Sequence, residues 1–400
     1  MNYKNVILQD ELPFDYSFDE MNTPFVLEYS KMFEHLDLSS IQRYPMGAGP
    51  NGYDTHSMIK ALIFYAMEGY RSIPQLIREL KGIPYFSRYI LGFGSTIPHN
   101  SKFYRFINSF DPELIRKLLA QINKEKYVNK LPKCIAIDSK PIKANTRHNN
   151  PKAFSKNLSD KMDKPKRNEE ATLCYFSKSN DENTKKESVL FFWGYRIHII
   201  VDAENDNPLT FKLAQNNKKD FDVAIPLYCK LAELYPELYQ SGLAQLADKG
   251  YYVEKTCKAF NLLFDGKSYI PVNKKNSKQY PIEIPICKQG LKMKFDSMWH
   301  EEKQDRFRVR FVCPLSKPFC EYKTSKKGCT KTFQARKPFP GEALQCSPTF
   351  KKLYPKRQAV ERVNAYIQKL GWESPKCFSM NAIENIVGFA LLGKSLKAFL

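Results

Sequence analysis

Residues 134–139 read Cys-Ile-Ala-Ile-Asp-Ser, a short apolar run that ends in an acidic residue. Such a run is typical of a buried strand, here with Asp138 at its C-terminal end. Residues 243–247, Leu-Ala-Gln-Leu-Ala, repeat the pattern and are followed by Asp248. Since ligand sites of α/β sheets form at strand ends, both aspartates are candidate functional residues of an α/β domain. Each also fits a simpler role, Asp138 as a helix cap and Asp248 as a turn residue.

Strands and helices alternate beyond the first run, as expected of an α/β domain, and two polar stretches interrupt them. Residues 141–190 contain eleven bases and seven acids with little periodicity, which predicts a mostly exposed insertion. Residues 271–340 contain seventeen bases and six acids, which indicates a second, basic insertion or a small β-rich domain. Within it, Arg306–Val312 alternate like a strand. The other predicted strands and helices are residues 195–201, 209–213, 220–234, 243–247, 253–260 and 268–272.

The N-terminal third of the chain has a different composition. Residues 1–50 contain eight acids and three bases, and only a short helix near 24–36 is predicted there. Residues 51–130 repeat apolar positions at helical spacing, which predicts four short helices with sharp turns. Lys102 and Arg105 lie on the exposed side of the third helix. Short helices with basic tips suit a helix-turn-helix-like DNA-binding domain, although any small helical bundle has the same pattern.

The charge of the whole chain indicates a polyanionic partner. The formal net charge is +21, the pI is near 9.4, and all of the positive excess lies after residue 50. Nucleic acid explains this excess better than a membrane, because the chain has no amphipathic basic helix and no lipidation motif. No run of eighteen apolar residues and no signal peptide is present, so we expect a cytoplasmic protein.

A late helix adds a third acid. Residues 353–370 repeat apolar positions at helical spacing, and Tyr354, Arg357 and Glu361 share one face of the predicted helix. The simpler interpretation is an i,i+4 ion pair between Arg357 and Glu361 on a solvated surface. The alternative is that Glu361 joins the two aspartates in one site. Two Asp and one Glu among basic residues can bind hard divalent cations, which promote phosphoryl transfer.

Three pieces of this chain resemble bacterial insertion-sequence transposases of the DDE class, which catalyse on a ribonuclease H-like fold. Ala136-Ile-Asp-Ser139 is similar to the segment around the first Asp of the family, and Ala247-Asp-Lys-Gly-Tyr251 to the segment around the second. Tyr354-x2-Arg357-x3-Glu361 resembles the Tyr-Arg-Glu-Lys signature of the family. The three pieces occur in the same order as in the family, so together they are a more specific signal than any one of them alone.

Two further pieces extend the resemblance to roughly residues 55–370. Gly194–His198 followed by Asp202 is similar to the second strand of the family, and residues 58–110 are similar to its N-terminal helical domain. The resemblance implies an α/β, ribonuclease H-like mixed-sheet catalytic core with insertions, preceded by an all-α domain. The implied parts are an acidic segment (1–50), a helical DNA-binding domain (51–130), the first part of the core (131–272), a basic Cys-containing insertion (273–350) and helices that complete the core (351–400).

The resemblance also implies roles for single residues. Asp138, Asp248 and Glu361 would be the catalytic triad and would bind two Mg²⁺ or Mn²⁺ ions. Tyr354 and Arg357 would act at the DNA end, the arginine by binding a phosphate in bidentate fashion.

The lysine of the signature is displaced in this chain. The family has it seven residues after the Glu, where this chain has Gln368, and Lys369 follows. Consecutive helical residues project in different directions, but a long side chain can still reach DNA. Lys369 is therefore a candidate DNA contact whose loss would weaken end binding more than chemistry.

As a whole, the resemblance implies a transposase that cleaves the ends of a DNA insertion element and joins the 3′ ends to target DNA. Its partners would be double-stranded DNA, as terminal inverted repeats and as target, and a second copy in a synaptic dimer at the bacterial nucleoid. Two alternatives remain open. One is a metal-dependent nuclease or resolvase on the same fold, and the other is a catalytically silent, transposase-derived DNA-binding protein.

The basic insertion also contains cysteines that could hold a structural Zn²⁺. No Cys-x2-Cys pair is present among them, so ordinary thiols are the favoured interpretation and zinc the alternative. The four candidate ligands are Cys313, Cys320, Cys329 and Cys346.

Overall fold

Two units share the chain, and each is built from segments that are distant in sequence. The computed structural model of the protein describes residues 18–44, 52–127, 130–149, 165–178, 188–272, 284–315 and 329–400. The helical unit holds the described residues up to 125, between 142 and 171, and from 367 onward, and the α/β unit holds those of 126–141 and 172–366.

Helices and strands follow one another along the described residues in a fixed order. In chain order they are α1 Phe18–Met21, α2 Pro24–Glu34, α3 Thr55–Met67, α4 Ile73–Gly82, α5 Asn100–Ser109, α6 Pro112–Lys126, β1 Cys134–Lys143, β2 Thr172–Lys178, β3 Ser188–Asp202, β4 Asn207–Gln215, α7 Asp220–Leu234, β5 Ala244–Leu246, α8 Glu254–Phe264, β6 Lys267–Tyr269, β7 Lys294–Glu301, β8 Arg306–Val312, β9 Thr330–Ala335, α9 Pro348–Leu353, α10 Gln358–Lys369 and α11 Met380–Lys397.

Local sequence signals set the ends of the N-terminal helices. Ser72 caps α4 by accepting a hydrogen bond from the Gln75 N–H at 3.4 Å, and Gly69, just after α3, has a φ of +63° that favours glycine. His99 caps α5 by accepting from the Ser101 N–H. The helices predicted between residues 51 and 130 are therefore confirmed, as is the short helix near 24–36.

The end of the chain completes the helical unit. α11 packs against α3 and α5, and Asn385 on α11 donates to the carbonyl groups of Ile107 and Phe110 at 2.8 Å each. Arg116 on α6 forms a buried ion pair with Glu384 on α11. We expected residues 351–400 to complete the catalytic core. α11 lies in the helical unit, where it packs against α3 and α5, and the division of the chain at residues 351–400 stays a prediction.

A mixed sheet forms the centre of the α/β unit. β1, β5 and β6 are parallel neighbours, and β3 lies beside β1. β3 pairs antiparallel with β2 through its first half and with β4 through its second half. The order β4-β3-β1-β5-β6 has α7 between β4 and β5 and α8 between β5 and β6. This arrangement confirms the predicted α/β, ribonuclease H-like core preceded by helices.

A second, smaller sheet follows in the basic insertion. β7, β8 and β9 pair antiparallel in this order, and β8 has the bounds predicted from its alternation. One face of this sheet packs on a small buried cluster that includes Met293, Val309 and Phe311.

Three local expectations differ from the structure. β1 continues five residues past Asp138 as a half-exposed stretch, so the aspartate is in the strand and not at its end. β2 lies in the segment predicted as an exposed insertion. The strand is stabilised by pairing with β3, and the polar residues on either side of it in the sequence gave no sign of a strand. The helix predicted from near residue 352 is broken into α9, a 3₁₀ turn at Tyr354–Arg357 and α10. Pro355, which lacks an N–H and restricts the preceding residue, lies in that turn.

Across the described ranges, no helix combines the length and the apolar character needed to cross a bilayer.

Candidate active site

The parallel pairing of β1 and β5 places Asp138 and Asp248 at equivalent positions of two neighbouring chain segments. Ala136 pairs with Leu246, so Asp138 and Asp248 each stand two residues beyond a paired position. One oxygen of Asp138 accepts a hydrogen bond from the Ser139 N–H at 2.8 Å. Burial raises the pKa of Asp138 to about 6, and the nearby charge of Asp248 acts in the same direction.

Asp248 follows β5 and begins a 3₁₀ turn over Lys249–Tyr251. Its Oδ1 accepts a hydrogen bond from the Gly250 N–H at 2.6 Å, which fixes one side of the carboxylate. An added Cβ at Gly250 would lie 2.9 Å from that same oxygen. The glycine therefore allows a close approach of the backbone to the carboxylate.

Arg357 connects Asp138 with Glu361. Its Nη1 lies 3.6 Å from Oδ2 of Asp138, and its Nη2 donates to Oε1 of Glu361 one helical turn later. Glu361 is the more exposed acid, with 49% of its side chain accessible against 21% for Asp138. The i,i+4 ion pair considered from the sequence is thus present, and the same guanidinium also faces the aspartate.

The other two basic residues around Glu361 bind elsewhere. Lys356 donates to Glu204 at 2.7 Å, and Arg362 makes a bidentate pair with Asp206 at 2.5 and 2.6 Å. Both acids lie in the turn between β3 and β4. These pairs attach the start of α10 to the central sheet, so Arg357 differs from its basic neighbours in facing Asp138.

Tyr354 lies beside the same guanidinium. Its half-buried ring stacks on Phe350 with centroids 5.2 Å apart. Burial raises the pKa of Tyr354, and the positive charge of Arg357 opposes that shift. The phenol therefore stays protonated and can donate a hydrogen bond.

Sequence reasoning missed a polar network behind the aspartates. Ser139 Oγ donates to Oδ1 of Asp220 at 3.1 Å, and Arg196 Nη1 lies 3.1 Å from Ser139 Oγ and 3.4 Å from the same Asp220 oxygen. Arg196 was within the Gly194–His198 piece, but no spacing in the sequence links it to residues 139 and 220. Their proximity is a property of the sheet.

A buried histidine lies next to this network. His198 Nδ1 is 3.1 Å from the Tyr251 hydroxyl. Burial lowers the pKa of His198 to about 3, and the charge of Arg196 adds to this effect. The imidazole is therefore neutral at physiological pH, as expected of a structural histidine.

The donor set suits a hard divalent cation. No three Cys, His, Asp or Glu side chains within the described ranges already surround one point as metal ligands. Mg²⁺, however, usually takes one or two carboxylates and completes its shell with water and phosphate. Asp138 and Asp248, two neighbouring carboxylates whose charges disfavour each other, meet that requirement.

The remaining predicted site residues lie apart from this group in sequence and element. Lys102 and Arg105 are exposed on α5, and Lys369 is exposed at the end of α10. Cys346 belongs to the small buried cluster, Cys313 packs against it, and the Cys313 N–H donates to the Cys329 carbonyl at 2.9 Å. Cys320 lies outside the described residues.

Two family models match the sequence. The model described as a transposase DDE domain matches residues 129–392, about two thirds of the chain, and contains Asp138, Asp248 and Glu361. The model described as a transposase domain (DUF772) matches residues 17–109. No curated protein matches the sequence.

Solved structures of transposases give distant matches. The piggyBac transposase synaptic complex with hairpin DNA matches 96% of this chain and 74% of its own, at 10% identity and a TM-score of 0.39. The Mos1 paired-end complex with left transposon end matches 57% of this chain and 61% of its own, at 12% identity and a TM-score of 0.19. The Mos1 mariner paired-end complex with Mg matches 60% and 65%, at 13% identity and a TM-score of 0.19.

The assignment to a family rests on the two family models. The first model spans the whole central sheet and the candidate site, and the second spans α1 to α5. The chain therefore belongs to the DDE transposase family and is an enzyme of DNA strand cleavage and strand transfer.

Proposed function

We propose that this transposase cleaves the ends of a DNA insertion element and joins the freed 3′ ends to target DNA, with Asp138, Asp248 and Glu361 as its catalytic carboxylates. The observation that carries the proposal is the meeting of the two aspartates across β1 and β5, with Arg357 reaching from Asp138 to Glu361. Metal-dependent phosphoryl transfer needs carboxylates that converge on one place, and a positively charged side chain close to them, such as Arg357, that binds the phosphate.

The proposed reaction consists of two displacements at phosphorus. In the first, a water oxygen bonds to the phosphorus at the element end, and the bond from phosphorus to the 3′ oxygen breaks. In the second, the freed 3′ hydroxyl loses its proton and its oxygen bonds to a phosphorus of the target strand, while the bond from that phosphorus to the 3′ oxygen of the target breaks and leaves a 3′ hydroxyl on the target. The number of phosphodiester bonds is unchanged in the second step, so it needs no further energy source.

Asp138 and Asp248 would hold Mg²⁺ or Mn²⁺, with Glu361 completing the set for two ions. When bound, such ions activate the attacking oxygen and stabilise the leaving one. The protein contributes fixed ligands, because the Ser139 and Gly250 N–H groups each hold one carboxylate oxygen in place. Burial raises the pKa of Asp138 and the charge of Asp248 adds to this effect, so a cation at this position would relieve both costs.

Arg357 and Tyr354 would bind the DNA end. Arg357 is half-buried, lies 3.6 Å from Asp138 and has the planar geometry that binds phosphate in bidentate fashion. Lys369, at the end of α10, would add a contact to the DNA backbone in place of the displaced signature lysine.

The helical unit would contribute DNA binding, and the working form would be a synaptic dimer in the bacterial nucleoid. Lys102 and Arg105 are exposed on α5, a short helix that begins at a capped N-terminus. Together with the net charge of +21, these residues support phosphate contacts by this part of the chain. Structural Zn²⁺ in the basic insertion stays an alternative to ordinary thiols, and metal analysis of the purified protein tests it.

A cleavage assay tests the triad. We expect Asp138→Asn, Asp248→Asn and Glu361→Gln each to abolish Mg²⁺-dependent cleavage of a duplex that carries the element end, while binding of that duplex in a gel-shift assay persists. Asp222→Asn is the matched control, because Asp222 is an exposed acid on α7. Cleavage at the wild-type rate by any triad variant would remove that residue from the proposal.

A second assay separates the proposal from a nuclease or resolvase. A pre-cleaved element end with a free 3′ hydroxyl is incubated with supercoiled target plasmid, and joined products are counted. We expect joining by the wild type. Cleavage without any joining would support the nuclease interpretation, and neither cleavage nor joining would support a silent DNA-binding protein.

The contribution of Arg357 is tested against its neighbour. Arg357→Ala should weaken end binding and cleavage, whereas Arg362→Ala removes a charge that is already paired with Asp206 and should leave both nearly unchanged. Equal effects of the two substitutions would show that only the net charge of the helix matters.

A further inference from the structure

Asp220 is an acid of the site that no motif in the sequence identifies. It is the first residue of α7, and its side chain is largely buried, with 22% accessible. An acid at a helix N-terminus has an ordinary role in offsetting the helix dipole. Asp222 can fill that role equally, since it is exposed in the same first turn. The contacts of Asp220 are what distinguish it.

One oxygen of Asp220 is bound from two directions. Oδ1 accepts from Ser139 Oγ at 3.1 Å and from Arg196 Nη1 at 3.4 Å, and the same Arg196 nitrogen lies 3.1 Å from Ser139 Oγ. Arg196 is itself held by Asn216, whose Oδ1 accepts from Arg196 Nε at 3.2 Å. The hydroxyl of Ser139 is therefore fixed between a carboxylate and a guanidinium.

Ser139 in turn orients Asp138. Its backbone N–H donates to Oδ1 of Asp138 at 2.8 Å, so the residue that Asp220 binds through the hydroxyl holds the first aspartate through the backbone. Rotation of the peptide at Ser139 would disturb both bonds together.

The other oxygen of Asp220 faces the turn that orients Asp248. An added Cβ at Gly250 would lie 3.0 Å from Oδ2 of Asp220, and the Gly250 N–H donates to Oδ1 of Asp248 at 2.6 Å. One oxygen of this carboxylate thus binds the side chain of Ser139, and the other lies close to the Gly250 turn, so Asp220 is next to both residues whose N–H groups hold the predicted metal ligands.

We infer that Asp220 is a positioning residue of this site, which acts through Ser139 and the Gly250 turn to hold the carboxylates of Asp138 and Asp248 for a divalent cation. The inference rests on the proposed function for the identity of the ligands, but it concerns cation binding and is testable without DNA. Partners that orient metal ligands commonly contribute ten- to a hundredfold to metal affinity.

The test is a double-substitution cycle read by Mn²⁺ binding. Isothermal titration of the full chain with MnCl₂ is carried out for the wild type, Asp220→Asn, Ser139→Ala, the double variant and Asp222→Asn. We expect each of the two single substitutions to weaken Mn²⁺ binding about tenfold. The double variant should be no weaker than the worse single variant by more than about twofold, because both substitutions act on the same hydrogen bond: Ser139→Ala deletes it, and Asp220→Asn weakens it by removing the charge of the acceptor. Asp222→Asn should bind like the wild type.

Three outcomes overturn the inference. Wild-type affinity in Asp220→Asn excludes any role in cation binding. Wild-type affinity in Ser139→Ala, with a loss in Asp220→Asn, shows that the hydroxyl of Ser139 does not transmit the effect of Asp220, which overturns the proposed route to Asp138. If the loss of Mn²⁺ affinity in the double variant equals the product of the two single losses, the two residues act independently. Thermal unfolding is measured for each variant, and if Asp220→Asn does not fold, Ser139→Ala decides alone, since it removes only a hydroxyl.

Cleavage of the element-end duplex is measured on the same proteins. A wild type that binds Mn²⁺ but does not cleave contradicts the proposed function and leaves the cycle valid. A wild type that cleaves, with an Asp220→Asn variant that needs no more Mn²⁺ for half-maximal cleavage, contradicts the inference and leaves the proposed function standing.

Discussion

Gly250→Ala is the substitution whose effect on the site follows most directly from distances. The new Cβ would lie 2.9 Å from Oδ1 of Asp248 and 3.0 Å from Oδ2 of Asp220, where ordinary contacts begin at 3.4 Å. Both carboxylates would have to retreat by about 0.5 Å, because the repulsive wall at such distances is steep. The backbone of the turn cannot move easily, since it makes the hydrogen bond to Asp248.

The expected effect is a loss of chemistry with little loss of stability. A displacement of 1 Å at a reacting centre can cost about a hundredfold in rate, so half of that displacement predicts roughly a tenfold slower cleavage. The amount of Mg²⁺ needed for half-maximal cleavage should rise as well, because Asp248 is one of the proposed ligands. Gly250 is exposed, so the free energy of unfolding should change little.

Single-turnover cleavage of the element-end duplex over a Mg²⁺ series measures both quantities. Gly82→Ala is the matched control, since a Cβ at this end of α4 meets no atom within 4 Å. Wild-type rate and wild-type Mg²⁺ requirement in Gly250→Ala, with both proteins equally folded by circular dichroism, would refute the argument. The carboxylates would then not be held by this turn.

Three further predictions concern stability. His198 has a folded pKa of about 3 against 6.5 in the unfolded chain, so the unfolded state binds more protons between these values. The contribution of neutral His198 to the free energy of unfolding is therefore complete above pH 6.5 and is reduced by about 2 kcal/mol at pH 5. When unfolding by urea is measured over this pH range, His198→Gln should lack this part of the pH dependence. Glu384→Ala should destabilise the protein by about 1.5–3 kcal/mol in the same assay, because the buried Arg116 loses that partner but keeps Glu113, whose Oε1 lies 2.7 Å from its Nη1, and an effect below about 0.5 kcal/mol would contradict this. Trp372→Phe removes the 2.7 Å hydrogen bond from Nε1 to the Ala66 carbonyl and should cost about 1 kcal/mol, seen as a lower Tm; an unchanged Tm would show that the bond contributes nothing.

Elements with a complete periodic pattern could be predicted from the sequence to the residue. α7 and β8 have the predicted bounds, because their apolar positions repeat without interruption. β2 could not be predicted, since its stability comes from pairing with β3, which begins ten residues after β2 ends. The break before α10 could have been predicted from Pro355, which removes one donor from the helix.

The candidate site could be predicted only in part from the sequence, because some of its contacts form only in the folded protein. Two acids after apolar runs indicate neighbouring strands, and the register of β1 and β5 does bring Asp138 and Asp248 close. Asp220 had no such signal, because the first residue of a helix is acidic in many proteins for local reasons. Its contact with Ser139 exists only once β1 and α7 have taken their places in the fold.

The packing of α11 against α3 affects how the protein is made. The two helices are separated by more than three hundred residues, which a ribosome needs roughly 15 to 60 seconds to synthesise. During that time Ile63 on α3, which is fully buried in the finished protein and lies beside Gly393 of α11, lacks the helix that packs against it. We therefore expect a nascent chain to depend on chaperones until residues 380–397 emerge, and a message truncated before residue 380 to yield an insoluble product and no free DNA-binding fragment.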